Sequence, residues 1–246
     1  MNKENFILET KKLGVELTKE QLEQLEIYCN ELLEYNKHTN LTAIKTREEV
    51  YLKHFYDSIT IVKNINLTNE SVIDVGTGPG FPGVVLKIVF PNINLTLLDS
   101  NNKKTKFLTY ICEKLGFNDV KIINDRIESF VKDNRYTFDI VTARAVSHLR
   151  IISELCLPLL KEDGVFIVLK GDATLEIEES AKTLEILNSK IIKETKFMLP
   201  YENSRRTILS IKRNKEILNI YPRTYDKILK NRLPSDTLCK NLSKFI

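Results

Sequence analysis

The chain has 246 residues, of which 28% are charged and 42% hydrophobic, with 37 Lys and Arg against 33 Asp and Glu. This composition is typical of a globular protein and excludes a disordered or collagen-like chain. No apolar run reaches the roughly 18 residues that a membrane span needs, and the first residues lack the apolar stretch of a signal peptide, so we expect a cytoplasmic protein.

The first 65 or so residues predict helices. Thr18-Lys-Glu-Gln21 reads as a capping box, and the apolar residues after it recur on one helix face. Thr46-Arg-Glu-Glu49 is a second capping box, which opens another apolar-faced helix. The polar, poorly periodic residues 35–44 between the two helices predict a loop. We assign residues 1–65 to a helical extension that packs on the core.

The pattern changes at residue 71, where short apolar runs begin to alternate with helical stretches. Strands are predicted at 71–75, 95–98, 120–123, 138–142 and 165–169, and helices near 82–89, 103–115, 126–132, 147–160 and 174–188. This alternation predicts βαβ units and a mostly parallel sheet with helices on both faces. Runs 190–199 and 207–212, joined by a short link, predict an antiparallel hairpin at the sheet edge. We place the main domain at 66–215.

The positive charge is concentrated near the C-terminus. Residues 201–246 hold 11 Lys and Arg against 4 Asp and Glu, a balance of +7, whereas the other 200 residues hold 26 and 29, a balance of −3. Clustered cations favour a polyanionic partner through Coulomb attraction and counterion release. A basic C-terminal segment, 216–246, is therefore either part of a nucleic-acid footprint or a solvated tail.

Cysteine and histidine usage gives no metal signature. The four cysteines (Cys29, Cys112, Cys156 and Cys239) show neither metal-ligand nor redox spacing, so we expect buried reduced thiols and no metal. The histidines, which are His38, His54 and His148, are each expected to be structural or RNA-contacting and not catalytic.

The most informative segment is the glycine-rich turn Asp74-Val-Gly-Thr-Gly-Pro-Gly-Phe-Pro-Gly83, which follows a predicted strand and precedes a helix. Glycines let the backbone turn sharply and approach a ligand. Asp99 ends the next strand, where a carboxylate can accept hydrogen bonds from both ribose hydroxyls of an adenosine group. Open α/β sheets bind small molecules at these strand ends.

Two cofactor classes compete for this turn. Residues 78–83 match the G-x-G-x-x-G of dinucleotide folds, but the strand has already ended, and two prolines remove N–H groups that a pyrophosphate would use. The Asp74-x-Gly76-x-Gly78-x-Gly80 spacing instead matches the first motif of S-adenosylmethionine-dependent methyltransferases, whose cofactor carries no phosphate. The sequence therefore favours a Rossmann-like class I methyltransferase fold with an antiparallel edge strand and an N-terminal helical extension.

Polar residues also follow the later strands. Residues 125–128 follow the third strand and have two interpretations. They either contact the adenine of the cofactor or begin a helix whose N-terminus is stabilised by acidic residues. Arg144 follows the fourth strand, at the mouth of the cleft, where it anchors a phosphate or a base edge or forms a structural ion pair. Lys170, at the end of the fifth strand, has the same two interpretations.

Several motifs together resemble one family. Besides the turn, these are Leu98-Asp-Ser100, Arg126-Ile-Glu128, Val141-Thr-Ala-Arg-Ala-Val146, Leu169-Lys-Gly171, His54-Phe-Tyr-Asp-Ser58 and Tyr221-Pro-Arg223. They are similar, in order, to the ribosomal RNA small subunit methyltransferase G family, also called glucose-inhibited division protein B. The resemblance spans roughly residues 20–225.

The resemblance implies methyl transfer from S-adenosylmethionine to N7 of one guanine in 16S ribosomal RNA. By motif matching, the cofactor contacts include Gly76, Phe81, Asp99, Ile127, Glu128 and Arg144, to which the glycine motif adds Asp74, Gly78 and Gly80. N7 carries a lone pair in the neutral base, so no general base is needed and none is assigned. The RNA partner is either free or within a small ribosomal subunit or assembly intermediate, and we expect a monomer.

The RNA contacts are predicted from basic and aromatic side chains. The candidates are Arg144, His148, Lys170, Arg205, Arg206 and Arg223, with Tyr221 as a stacking plane. His54-x-x-Asp57 ties the N-terminal helices to the core in an alternative interpretation. A small-molecule methyltransferase is the main alternative function, followed by a nicotinamide-dependent reductase. A purely RNA-binding module leaves the glycine turn and Asp99 unexplained.

Overall fold

The computed structural model describes residues 1–144, 147–230 and 233. Seven strands form one sheet. They are β1 (Ser71–Val75), β2 (Asn94–Asp99), β3 (Lys121–Asn124), β4 (Phe138–Arg144), β5 (Leu160–Lys170), β6 (Ser189–Met198) and β7 (Arg205–Arg213). The strand order is β3-β2-β1-β4-β5-β7-β6, with β7 antiparallel to β5 and β6 and the other pairs parallel. The predicted parallel sheet with an antiparallel hairpin at its edge is confirmed.

Helices precede, separate and follow the strands. They are α1 (Lys3–Lys12), α2 (Lys19–Thr39), α3 (Arg47–Glu49), α4 (Asp57–Ile59), α5 (Gly83–Val89), α6 (Asn102–Lys114), α7 (Ile127–Asp133), α8 (Leu149–Cys156), α9 (Thr174–Ile186) and α10 (Tyr225–Lys230). A π-helical stretch, Val50–Tyr56, joins α3 to α4, and a 3-10 turn, Thr60–Lys63, follows. We call this continuous run the 47–63 segment.

Two apolar clusters cover the two faces of the sheet. The N-terminal helices, α5 and α6 pack on one face around Tyr28, Phe55 and Phe107. Helices α8 and α9 cover the other face around Phe166. The N-terminal helices, residues 3–63, share a core with the sheet and form one layer of the structure, which we call the N-terminal layer. The domain boundaries near residues 65 and 215 stay predictions.

The sheet order reverses between β1 and β4, since β2 and β3 lie on one side of β1 and the remaining strands on the other. Parallel α/β sheets bind ligands at such a switch point, outside the carboxyl ends of the strands. The register pairs Val75 with Leu98 and Asp74 with Thr142, so β1, β2 and β4 end close together. The residues after these three strands therefore meet at one rim.

Some local predictions need correction. The predicted loop at 35–44 begins too early, because α2 continues to Thr39 and ends where Asn40 adopts a left-handed conformation with φ 52°. The Thr18 capping box is confirmed, with both reciprocal hydrogen bonds present. Strand β5 is longer than predicted and begins at Leu160, with a register irregularity against β4. Helix α10 was not predicted, and most of segment 216–246 beyond it, including Cys239, lies outside the described residues.

Candidate functional site

The glycine turn between β1 and α5 has a left-handed backbone at Gly76 (φ 65°), Gly78 (φ 62°) and Gly80 (φ 112°). The amides of Gly76 and Thr77 donate to the carbonyl of Leu98 at 2.8 and 3.2 Å, which ties the turn to β2. An L side chain is strained at such φ values, so glycine is required here.

Asp74 organises the turn from beneath. Its Oδ2 accepts hydrogen bonds from Thr77 Oγ1 at 2.6 Å and from the Gly83 amide at 2.8 Å. Burial raises the pKa of Asp74 to about 6. Asp74 borders neither of the two cavities described below. This placement favours a structural role over the predicted direct contact with the cofactor.

Tyr28 of α2 supports the same turn from the other side. Its hydroxyl donates to the carbonyl of Pro79 at 2.6 Å, and its ring stacks on Phe81 with the centroids 5.2 Å apart. Gly80 lies against this tyrosine and, like Asp74, lines neither cavity. The N-terminal layer therefore helps to fix the shape of the glycine turn. This contact of Tyr28 with the turn was not predicted from the sequence.

The first cavity, of about 410 Å³, lies at the carboxyl ends of β1, β2 and β3. Its lining includes Gly76, Asp99, Ile127, Glu128 and Arg144, all predicted cofactor contacts. These five predicted residues are thus brought together at one rim, whereas Gly78 and Phe81 line the second cavity described below.

Asp99 is one of three acidic residues that line this cavity, together with Asp125 and Glu128. Its Oδ2 accepts from the Gly78 amide at 2.9 Å, its Oδ1 accepts from the Asn101 amide at 2.8 Å, and Lys104 Nζ lies 3.8 Å away. A carboxylate has about four lone-pair sites, so two acceptor positions remain after these bonds. The carboxylate is therefore fixed in place and still able to accept two hydroxyl donors.

The apolar residues that line the first cavity are Val75, Leu98, Ile127, Ile152 and Leu155, and the lining also includes the ring of Tyr225. Arg126 also lines this cavity. Its Nε pairs with Glu128 Oε1 at 2.6 Å, and its guanidinium lies 5.3 Å from the Tyr225 ring centre. Apolar side chains together with several polar groups suit a heterocyclic ligand that also carries hydroxyl groups. Tyr225 belongs to the unpredicted helix α10, so sequence reasoning missed it.

A second cavity, of about 470 Å³, adjoins the first on the other side of the turn. Gly76, Lys104 and Arg144 border both cavities. Other residues of the second cavity are Thr42, Lys53, His54, Asp57, Gly78, Phe81, Lys170 and Arg206. The 47–63 segment thus builds one wall of the second cavity.

Arg144 lies at the boundary between the cavities and has three polar partners. Its Nη1 donates to the Lys53 carbonyl at 2.8 Å and to Asp57 Oδ2 at 3.0 Å, and its Nη2 lies 3.0 Å from His54 Nδ1. The guanidinium also lies 5.3 Å from the Phe81 ring centre. These contacts fix Arg144 from the N-terminal layer and show the structural ion pair. Because Arg144 also borders both cavities, a ligand contact stays a prediction.

His54 is a neutral, buried part of this arrangement. Burial, and then the adjacent Arg144 charge, lower its pKa to about 3. Its ring stacks on Phe81 at 4.0 Å between centroids, and Nε2 lies 3.0 Å from Thr42 Oγ1. Since Nδ1 accepts from Arg144, Nε2 carries the proton and donates to Thr42. The ring therefore packs on Phe81 and links Thr42 to Arg144 through its two hydrogen bonds.

This low pKa predicts a pH-dependent stability. Below its ordinary value of 6.5, His54 takes up a proton in the unfolded chain but not in the folded one, so stability falls as the pH falls from 6.5 toward 3. Between pH 7 and pH 5 we expect the wild type to lose about 2 kcal/mol more than His54→Gln. Urea denaturation at both pH values measures this. Asp74, with its pKa of about 6, contributes the opposite slope but is common to both proteins. Equal losses would contradict a neutral His54.

The predicted RNA contacts separate into two groups. Lys170 and Arg206 line the second cavity. Arg205, beside Arg206, is exposed and pairs with Asp172 at 3.0 Å. His148, the N-cap residue of α8, pairs with Glu179 of α9 at 2.8 Å.

Tyr221 and Arg223 lie elsewhere. Tyr221 is 9% exposed within an apolar cluster, so its ring has no free face for a base. Arg223 Nε and Nη2 bind the two oxygens of the buried Glu154 at 2.8 and 2.7 Å. This placement does not support the predicted RNA contacts for either residue and favours a structural role.

Sequence reasoning underestimated Asp57 and Lys104. Asp57 was considered only as a tie between the helices and the core, yet it borders the second cavity beside Arg144 and Arg206. The His54-x-x-Asp57 spacing, which places both side chains on one helix face, was the available signal. Lys104 borders both cavities from the start of α6.

Comparison with known proteins relates the chain to one family. A family model described as rRNA small subunit methyltransferase G matches residues 21–209. The ribosomal RNA small subunit methyltransferase G of Bacillus cytotoxicus is 45% identical over 227 residues, which cover 91% of this chain and 95% of the relative. The protein of the same name from Oceanobacillus iheyensis is 43% identical with the same coverage.

Solved structures match at the level of the fold. A precorrin-6y C5,15-methyltransferase from Geobacter metallireducens superposes with a TM-score of 0.51 and 17% identity, covering 69% of this chain and 90% of that one. TrmK of M. capricolum, in complex with S-adenosylhomocysteine, gives a TM-score of 0.50 and 18% identity, covering 65% and 68%. The predicted Rossmann-like methyltransferase fold is confirmed.

Proposed function

Because the chain belongs to the ribosomal RNA small subunit methyltransferase G family, we propose that it transfers a methyl group from S-adenosylmethionine to N7 of a specific guanine in 16S ribosomal RNA. The observation that carries the proposal is the pair of adjoining cavities that meet at Gly76 and Arg144. Methyl transfer needs two such sites, one for the methyl donor and one for the acceptor base, with the reacting atoms at their junction.

The first cavity suits S-adenosylmethionine, which supplies an activated methyl group on sulfur. Asp99 keeps two acceptor positions for the ribose hydroxyls. The apolar side chains of the lining, which include Ile127 and Leu155, accommodate the adenine. Gly78, which borders the adjoining second cavity, has open space around it, since an added Cβ would meet no atom within 4 Å. The buried Ser147 hydroxyl, which borders this cavity, has no partner among the described residues and is available to a ligand.

The second cavity is the proposed acceptor site. Guanine N7 attacks with its own lone pair, so the chain needs no residue to remove a proton. His54 is consistent with this, because its low pKa makes it a weak base and its hydrogen bond from Arg144 occupies its free lone pair. The contribution of the site is to align the two reactants and exclude competing water.

The RNA backbone is proposed to lie across the basic rim of the second cavity. Arg206, Lys170 and the exposed Arg205 supply the cations. Lys170 Nζ is held by Glu176 at 2.8 Å and by the Ser147 carbonyl, so its position is fixed. His148 follows Ser147, whose carbonyl binds Lys170, and stays a proposed contact. Single-stranded RNA is usually recognised through splayed bases and phosphate contacts of this kind.

The cellular context is also part of the proposal. Among the helices of the described residues, none combines the length and apolar character needed to cross a membrane. We place the activity in the cytoplasm and expect a monomer to act on 16S ribosomal RNA, either free or in a small subunit or assembly intermediate. Methylation of free RNA and of isolated small subunits can be compared directly.

The decisive assay is methylation of 16S ribosomal RNA from a strain that lacks this modification. We expect transfer of labelled methyl groups to a single guanine, detected as N7-methylguanosine in a nuclease digest, and stabilisation against thermal unfolding by S-adenosylhomocysteine but not by NADH. A nucleoside methylated at another atom would contradict the N7 assignment. Stabilisation by S-adenosylhomocysteine without any RNA product would favour a small-molecule acceptor.

A further inference from the structure

One carboxylate bridges two arginines at the wall of the second cavity. Asp57 Oδ2 accepts from Arg144 Nη1 at 3.0 Å, and Asp57 Oδ1 accepts from Arg206 Nε at 2.9 Å. Asp57 belongs to the 47–63 segment, whereas Arg144 ends β4 and Arg206 is near the start of β7. The residue is only 6% exposed, so the three charges meet largely out of water.

The two arginines depend on this carboxylate to different degrees. Arg144 has two further polar partners, the Lys53 carbonyl and His54. Arg206 uses Nη1 for Ser204 and for its neighbour's carbonyl, and Asp57 is its carboxylate partner. In the part of the chain that the structure describes, Nη2 of Arg206 has no protein acceptor. The exposed edge of this guanidinium therefore remains free for a ligand.

The triad of Asp57, Arg144 and Arg206 carries one net positive charge, whereas Lys53 with its two glutamates carries one net negative charge. Lys53 pairs with Glu49 and Glu202, Lys170 pairs with Glu176, and His54 is neutral. Arg144 and Arg206 share the single charge of Asp57. A carboxylate between two guanidinium groups offsets their mutual repulsion, and the net positive charge of this triad suits one phosphate group.

We propose that Asp57 is a positioning residue that aims Arg206 at a phosphate of the acceptor nucleotide while helping to hold Arg144 between the two cavities. The proposal rests on the proposed function, since it takes the second cavity as the acceptor site. It assigns the N-terminal layer a part in RNA recognition, in addition to its packing on the sheet.

The test is Asp57→Asn in the full chain, assayed for 16S ribosomal RNA methylation. Asparagine keeps the size but removes the charge and presents an N–H group to one of the arginines. Because Arg144 retains its other contacts, we expect the dissociation constant of S-adenosylhomocysteine to stay within about threefold of wild type. The KM for RNA is expected to rise about tenfold or more, since Arg206 loses its orientation.

Coupling to Arg206 separates positioning from a merely structural role. Arg206→Gln alone should raise the KM for RNA, and adding Asp57→Asn should raise it little further, because both changes remove the same contact. Glu154→Gln is the matched control, since it neutralises a buried carboxylate bound to the guanidinium of Arg223, away from both cavities. It should lower the melting temperature and leave the KM unchanged.

An unchanged KM for RNA in Asp57→Asn, or additive effects in the double variant, would overturn the inference while leaving the proposed function intact. A wild-type chain that does not methylate 16S ribosomal RNA would overturn both. Should Asp57→Asn not fold at the assay temperature, Asp57→Glu keeps the charge but displaces the carboxylate. A folded Asp57→Glu variant with a raised KM supports the inference, and one with the wild-type KM contradicts it.

Discussion

Replacing Asp99 by alanine is expected to weaken binding of S-adenosylhomocysteine by about 100-fold or more. The carboxylate is fixed by the amides of Gly78 and Asn101 and retains acceptor positions toward the first cavity. Loss of hydrogen bonds to a charged group costs about 1.5–3 kcal/mol each, and the ribose of the cofactor offers two hydroxyl donors. Isothermal titration calorimetry with S-adenosylhomocysteine measures the loss directly.

Asp125→Asn is the matched control for Asp99→Ala. Asp125 borders the same cavity, but its described side-chain bond is to the adjacent Arg126 amide at 2.7 Å. We expect the control to change affinity by about threefold or less. If both variants lost affinity equally, the general negative charge of the cavity would explain binding. If Asp99→Ala retained wild-type affinity, the cofactor would have to lie elsewhere.

Much of the fold follows from local patterns. Each buried strand of the parallel part is a short apolar run bounded by polar residues, and the helices between them have one apolar face, so their order predicts βαβ units. Apart from the missed helix α10, the errors lie at element ends. Helix α2 continues through the polar residues Asn36 to Thr39, where the Asn36 side chain hydrogen-bonds the backbone of Thr42. The polarity of these residues alone does not reveal this contact.

The site was predictable where it depends on strand ends. Gly76, Asp99 and Arg144 follow three strands whose carboxyl ends meet at one rim, so their proximity follows from sheet topology. Asp57 and Arg206 are 149 residues apart in sequence, and their pairing depends on how the N-terminal layer packs on the hairpin. No local rule predicts such a contact.

Charge alone was a poor guide at the C-terminus. Arg223 contributed to the basic character from which RNA contacts were predicted, yet it is neutralised by Glu154, a residue of α8 that is 1% exposed. A buried acid far away in sequence changes the meaning of a basic residue. The count of charges therefore overestimates the basic surface that RNA can reach.

Replacing Gly80 by alanine is expected to destabilise the protein by about 3 kcal/mol or more. The position combines φ 112° with crowding, since an added Cβ would lie 2.5 Å from Tyr28 Oη and 2.6 Å from Val84 Cγ2. Tyr28 cannot retreat, because it is fully buried and bonded to the Pro79 carbonyl. Relief therefore requires movement of the turn itself, so affinity for S-adenosylhomocysteine should fall together with stability.

Gly116→Ala separates backbone strain from crowding. Gly116 has φ 75°, but a Cβ there meets nothing within 4 Å, so its replacement should cost only the strain of a left-handed alanine, about 1 kcal/mol. Thermal unfolding should therefore show a drop about three times larger for Gly80→Ala, with S-adenosylhomocysteine binding lost in that variant alone. Equal drops with binding retained in both would mean that the turn tolerates a side chain against Tyr28. The N-terminal layer would then not set the shape of the cofactor site.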